Sequence, residues 1–149
     1  MGSNFKKLVK SIELSNLYLD ISEEILQKLT QGNDNNQLLF LMSIENSLSH
    51  LADGIYENFK NDSKPIKHLN YLYKWEELYN LNALRNIISK ELKSDGLINN
   101  VEKAKSIFFR EEDKNLIATS EINDLKRFIL ILNKCKAFKE LLRKTLDEC

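Results

Sequence analysis

Turn-forming residues are scarce in this chain, because four glycines and one proline are spread over 149 residues. Folds that need many tight turns, such as β-sandwiches, β-barrels and glycine-rich nucleotide-binding folds, use more of both residues. Hydrophobic residues make up 42% of the chain, which is enough to bury a core, and the length is typical of one domain. We therefore predict an all-α fold, with residues 1–149 forming a single helical bundle domain.

Apolar residues recur at helical spacing over five segments, which clusters of polar residues separate. Gly32 and Gly96 are predicted to end the first and third helices as left-handed caps, and Pro65 suits the first turn of the third. Asn80 and Asn82 could mark a kink or a break in the third helix. The prediction is four long helices and one short one, at 5–30, 37–60, 66–93, 97–110 (the short helix) and 121–147, with a charged loop at 111–115.

Charge is balanced over the whole chain, with 22 basic and 22 acidic side chains. A dedicated DNA-binding domain usually has a basic excess, because phosphate neutralisation supplies most of its affinity. The balance conceals a mild asymmetry: residues 1–62 carry five basic and nine acidic side chains, and residues 63–149 carry 17 and 13. This asymmetry could favour association with a partner or a weak contact with nucleic acid.

The chain has no pattern that directs it to a membrane or to an oxidising compartment. No apolar run approaches the roughly 20 residues that span a bilayer, and no signal-peptide pattern follows Met1. Cys135 lies in an apolar helical run and Cys149 is the last residue, so no disulfide framework is implied. We predict a cytoplasmic protein that does not associate with membranes.

One polar stripe of the second predicted helix could bind a metal ion. His50, Asp53 and Glu57 are spaced so that they share one helical face. Metal sites in helical bundles usually take ligands from several facing helices, and the chain has no Glu-x-x-His motif. The stripe also lies opposite the apolar residues of the same helix, which favours a solvated face. Metal binding is therefore the alternative interpretation, and we expect no metal and no cofactor.

The common catalytic motifs are missing from the sequence. It has no Gly-x-Ser-x-Gly elbow, neither glycine-rich phosphate motif, and no cysteine with a histidine nearby. Neighbouring carboxylates such as Glu76 and Glu77 point about 100° apart on a helix and do not share a site. These observations favour a protein that is not an enzyme.

Residues 75–90 carry a Leu-Arg-Asn sequence at Arg85 and Asn86, within an amphipathic pattern. This stretch resembles the signature helix of the HEPN superfamily. The resemblance implies a helical, mostly dimeric domain of a superfamily with many metal-independent ribonucleases of toxin–antitoxin, abortive-infection and CRISPR-linked systems. The superfamily motif continues with a histidine four to six residues after the arginine, where this chain has Lys90. Because a lysine stays cationic unless it is strongly desolvated, the resemblance implies an RNA-directed domain without the nuclease step.

A group of aromatic residues in the same region is a candidate partner-binding surface. Tyrosine and tryptophan are frequent anchors of protein interfaces. The four residues of this group cannot all face one core, because they fall within nine residues of helix. The group consists of Tyr71, Tyr73, Trp75 and Tyr79.

Basic residues of the fifth predicted helix are a candidate nucleic-acid surface. Lys136, Lys139 and Arg143 share one helical face and could contact a phosphate backbone. Glu140 and Asp147 dilute this positive charge, and no aromatic residue lies among the solvent-facing positions for base stacking. Binding of RNA is therefore the weaker of the two partner predictions.

Taken together, the sequence favours a small non-catalytic helical interaction protein, of the immunity, inhibitor or small defence-complex subunit type. Such a protein would act by binding a partner protein or a second copy of itself. The alternative is a HEPN-like, RNA-directed and catalytically degenerate protein, with Arg85, Asn86 and Lys90 at its site.

Overall fold

The architecture is helical throughout the residues that the computed structural model describes, which are 2–29, 34–114 and 120–148. No strand occurs in these ranges, so the predicted all-α class is confirmed. None of the described helices is both long and apolar enough to cross a membrane. The helices are α1 (Gly2–Lys28), α2 (Asp34–Phe59), α3 (Tyr71–Leu78), α4 (Arg85–Leu92), α5 (Leu97–Lys114) and α6 (Ser120–Glu148).

The prediction of four long helices and one short one is wrong in the third segment, where two helices of eight residues stand in place of one. The first of these, α3, does not start near Pro65. It starts at Tyr71, because the Asn70 side chain accepts a hydrogen bond from the backbone N–H of Tyr73 at 3.0 Å and so caps the helix. The chain before it forms turns that bury Ile66 against the core.

The break between α3 and α4 follows from the spacing of three leucines. Leu78, Leu81 and Leu84 are all buried and stand three residues apart, a repeat that matches a tighter turn better than an α-helix. The backbone follows this repeat, because Leu81 donates to the Leu78 carbonyl at 3.0 Å and Leu84 donates to the Leu81 carbonyl at 3.1 Å. Asn80 and Asn82 lie in this exposed link and are poor helix formers.

The fifth helix of the structure is longer than predicted. α5 has 18 residues, and it includes most of the predicted charged loop at 111–115. The predicted cap at Gly32 and the terminal Cys149 lie outside the described residues.

α1 and α2 pack as an antiparallel pair through small residues. Ser15 donates to the backbone carbonyl of Ser47, and Ser47 donates to that of Ser15, each at 2.7 Å. Both hydroxyls are fully buried, so this reciprocal pair satisfies two polar groups that would otherwise be costly in a core. Gly54 of α2 lies against Ile12 of α1, where an added Cβ atom would come within 2.9 Å of the isoleucine side chain.

The core is centred on α2 and draws residues from every helix. Phe40 of α2 packs on Phe128 of α6, with ring centroids 5.0 Å apart. Trp75 of α3 is fully buried against Phe138 of α6, and its indole N–H donates to the Leu48 carbonyl of α2 at 3.1 Å. Trp75 therefore anchors the short helix α3 in two ways, by packing of its ring and by the hydrogen bond of its N–H.

A polar network joins α2, α3 and α5. The Lys105 ammonium lies 2.7 Å from Glu45 and 3.2 Å from Glu102, and Glu102 accepts a hydrogen bond of 2.6 Å from the Tyr71 hydroxyl. Burial raises the pKa of Tyr71, and its hydrogen bond to Glu102 adds to the effect. Burial alone would lower the pKa of Lys105, but its bonds to Glu45 and Glu102 raise it above the ordinary value.

Gly96 is needed for a close approach of backbone and not for a left-handed cap. α4 ends at Leu92, and Gly96 then donates to the Lys93 carbonyl at 2.8 Å. A Cβ atom at this position would overlap the backbone of Lys90 and Glu91, which has no freedom to move aside as a side chain would.

We predict that Gly96→Ala lowers the free energy of unfolding by about 2–3 kcal/mol, because the added methyl group must displace the end of α4. Urea denaturation of the purified protein measures this loss. Gly54→Ala is the matched control, since its methyl group meets side-chain atoms, chiefly the end of Ile12, and no backbone, and we expect a smaller change there. Equal effects at the two glycines would contradict this account.

Glu91 connects α4 to α5 and gives the fold a pH dependence. Its carboxylate accepts from the backbone N–H of Leu97 at the start of α5, at 3.3 Å. Burial raises the pKa of Glu91, although this hydrogen bond and the charges of Lys134 and Lys90 oppose the shift.

We predict that Glu91→Gln stabilises the protein at pH 7 and that its advantage disappears toward pH 4. Because the pKa of Glu91 is raised in the folded state, this residue favours folding most below about pH 4.5, where it is protonated. Its contribution to the free energy of unfolding is lost as the pH rises through the raised pKa, so the charged form is unfavourable at pH 7. Glutamine keeps the acceptor for Leu97 without the buried charge. Urea denaturation between pH 4 and pH 8 tests this, and parallel stability profiles for the two proteins would contradict it.

Candidate functional site

A groove of about 610 Å³ lies between α1 and α6, with α2 as its floor. This volume is within the range of binding pockets, which commonly form between the helices of bundles. The groove combines an aliphatic base with polar side chains along its edges, among them Glu13, Asn16 and Asn58. The aliphatic residues are Leu8, Val9, Ile12, Leu19, Leu51, Ile55, Leu142 and Leu146.

Two polar bridges join the walls of the groove near one end. Lys136 of α6 lies 2.7 Å from Glu23 of α1, and Lys139 of α6 donates a hydrogen bond to the Asn16 side chain of α1. These contacts show that α1 and α6 run antiparallel. Leu19 lies between these two bridges in α1. The other lining residues of both helices lie toward the N-terminus of α1 and the C-terminus of α6, where the groove contains Leu8 and Leu146.

The structure places all three predicted nucleic-acid-binding residues on the α6 wall of this groove. Two of them are already paired with carboxylates. Lys136 pairs with Glu23, and Arg143 lies 2.6 Å from Glu140 and 3.0 Å from Asp147. These pairings reduce the positive charge that a phosphate backbone would meet.

Lys139 differs from its two neighbours on this wall. Its side chain is partly buried, and among the described side chains its ammonium contacts the neutral amide oxygen of Asn16 and forms no ion pair. Burial lowers the pKa of Lys139, while the more distant Cys135 and Asp20 act in the opposite direction. The groove therefore contains a partly desolvated ammonium that has no direct carboxylate partner among the described side chains.

Cys135 lies one helical turn from Lys139, on the core side of α6. The thiol is fully buried, and burial raises the pKa of Cys135 to about 12. It therefore stays protonated at neutral pH and behaves as a small apolar group.

The three residues of the candidate metal stripe are directed to different partners. The His50 ring stacks on Tyr18 of α1 at 5.5 Å, and Glu57 lies 3.8 Å from Lys60. Burial lowers the pKa of His50, and the nearby charge of Asp53 opposes this shift. Within the described residues, no group of three or more histidine, cysteine, aspartate or glutamate side chains could hold a metal ion.

Asp53 instead pairs with Lys74, a residue that the sequence analysis did not identify. Lys74 is almost fully buried in α3, and its ammonium lies 2.9 Å from the Asp53 carboxylate and 2.8 Å from the Ser49 hydroxyl. One sequence signal could have revealed it. Lys74 interrupts an otherwise apolar face made by Tyr71, Trp75 and Leu78, so a polar partner for it was required in the core.

The predicted aromatic surface is divided between core and solvent. Trp75 and Tyr71 are buried, whereas Tyr73 is 53% exposed and Tyr79 is 36% exposed. Only the latter two present an accessible surface among the four residues, and Tyr79 also packs beneath Arg85.

Arg85 of the HEPN-like stretch makes contacts that stabilise the turn before α4. Its guanidinium donates to the Asn80 carbonyl at 3.1 Å and to the Tyr79 carbonyl at 3.4 Å, and it lies 5.7 Å from the centre of the Tyr79 ring. A cation at the end of α3 also complements the helix dipole. Asn86 and Lys90 are exposed on α4, away from the groove.

Comparison of the chain with protein-family models, curated proteins and solved structures finds no match in any of the three.

We predict that Asp53→Ala lowers the free energy of unfolding by about 2–3 kcal/mol, because it leaves the Lys74 ammonium buried without its carboxylate. Chemical denaturation measures the loss. The double variant Asp53→Ala with Lys74→Met should recover most of it, since the unpaired charge is then removed as well. A double variant as unstable as Asp53→Ala would show that the ion pair is not the cause.

Proposed function

We propose that this protein is a non-catalytic helical interaction protein that binds a partner protein through the groove between α1 and α6. The observation that carries the proposal is the aliphatic base of the groove with charged and amide side chains along its edges. Protein interfaces have this arrangement, in which an apolar centre is surrounded by a polar rim. An immunity protein, an inhibitor or a small subunit of a defence complex would act in this way.

The charges of the groove support a protein partner over a nucleic acid. Lys136 and Arg143 are paired with carboxylates, and Glu13, Glu140 and Asp147 add negative charge to the same surface. A mixed-sign rim orients a protein partner, whereas an RNA backbone would be repelled by its acidic members.

The HEPN-like, RNA-directed function is the second candidate, because Arg85, Asn86 and Lys90 are all exposed on α4. It requires a homodimer in which the two α4 helices lie close together. Light scattering that finds a monomer, combined with unchanged RNA binding by Arg85→Ala, would remove this candidate.

We predict that Leu8→Asp abolishes capture of the partner, because it places a charge on the aliphatic base of the groove. The full-length tagged protein is incubated with lysate of the source cells, with and without nuclease, and retained proteins are quantified by mass spectrometry. A partner should be retained by the wild type after nuclease treatment and reduced about tenfold or more with Leu8→Asp.

Leu17→Asp is the matched control for this experiment. Leu17 is also a leucine of α1, but it is 52% exposed and does not line the groove. Capture that survives Leu8→Asp, or that Leu17→Asp abolishes equally, would contradict the assignment of the groove. Retention that nuclease removes would favour the RNA-directed function instead.

A further inference from the structure

We infer that the partner segment in the groove is an amphipathic helix of about three turns, with an acidic side chain that pairs with Lys139. This inference rests on the proposed function and adds the chemistry of the partner to it. Three features of the groove carry it, namely its length, the chemistry of its base and the state of Lys139.

The length of the groove fits a helix of about three turns. Its α1 wall extends from Leu8 to Leu19, and its α6 wall extends from Lys136 to Asp147. Each wall spans roughly 17 Å at 1.5 Å per residue, which equals three turns of helix. An amphipathic helix seated between two helices and against a third completes a four-helix packing arrangement.

The base of the groove selects aliphatic side chains. Leu51 and Ile55 of α2 form its floor and are almost fully buried, and the partly exposed Leu8, Ile12 and Leu146 present aliphatic surface from the two walls above them. Among the described residues that line the groove none is aromatic, so a flat ring would have no stacking partner among them. Leucine-like residues of the partner at positions i, i+3 or i+4, and i+7 would lie along this base.

Lys139 supplies the charge specificity. An ammonium group donates up to three hydrogen bonds, and the Asn16 amide accepts one of those of Lys139. Asp20 acts on this ammonium only through its more distant charge. A carboxylate of a partner would pair with a cation that folding has already partly desolvated. Most of the unfavourable desolvation free energy of Lys139 would therefore not oppose binding.

The experiment is a selection of displayed helical peptides on the folded full-length protein. The library holds 14-residue helices with three fixed leucines at i, i+3 and i+7 and randomised remaining positions. The same selection is carried out on Lys139→Met and on Lys144→Met, a matched control that removes an exposed cation of α6 outside the groove. Circular dichroism and thermal unfolding establish that the variants keep the fold.

We expect the helices selected on the wild type and on Lys144→Met to share an aspartate or glutamate at one register position. This preference should be absent in the helices selected on Lys139→Met. Replacing the shared acid by its amide should weaken binding to the wild type about tenfold and leave binding to Lys139→Met unchanged. Lys139→Gln, which keeps a polar side chain without the charge, should behave as Lys139→Met does.

Three results would overturn the inference, and they differ in what they mean for the proposed function. Helices that bind the groove and are blocked by Leu8→Asp, but show no acidic preference, would refute the role of Lys139 and leave the groove as a protein-binding site. A selection without any groove-binding helix would refute the helical partner but not the binding of a protein, whereas native mass spectrometry that finds a fatty acid retained in the groove in place of a peptide would refute both.

Discussion

The close approach of α1 to α2 is the constraint on which the remaining arrangement depends. Ser15 and Ser47 exchange hydrogen bonds at 2.7 Å, and Gly54 admits Ile12, so small side chains bring the two helices together along their length. Because α1 packs closely on α2, its polar contacts with α6 are made by the long side chains of Lys136 and Lys139, which reach across to Glu23 and Asn16. The groove lies along this second contact, and its floor is formed by Leu51 and Ile55 of α2, which are almost fully buried between the two helices.

α2 holds α3 and α5 through charged side chains. Its Ser49 and Asp53 bind the Lys74 ammonium of α3, and its Glu45 binds Lys105 of α5. A buried ion pair adds little net stability compared with apolar packing, but its partners must meet in one geometry. In this protein such pairs fix how α3 and α5 lie against α2.

The sequence predicted the helices whose apolar residues follow the regular α-helical repeat. Three of the predicted segments, 5–30, 37–60 and 121–147, differ from α1, α2 and α6 by at most three residues at each end. The prediction of one helix in the third segment was wrong because its leucines change to a three-residue spacing. Its predicted start was wrong because the helix begins after the cap at Asn70 and not at the proline before it. The groove could not be predicted, because it depends on the distance between α1 and α6, which the spacing of apolar residues within each helix does not determine. Lys139 was recognised as part of a basic face, but only the tertiary structure shows that it is half-buried beside a neutral amide.

The buried cysteine of α6 can be used to measure how often this part of the core opens in solution. Cys135 sits in the core one turn from the groove, and its thiol remains protonated because burial raises its pKa to about 12. A thiol in this state reacts with alkylating reagents only when the surrounding structure opens. The labelling rate of Cys135 therefore reports the local opening of α6, and an occupant of the groove that holds α1 against α6 would slow this rate without touching the sulfur atom.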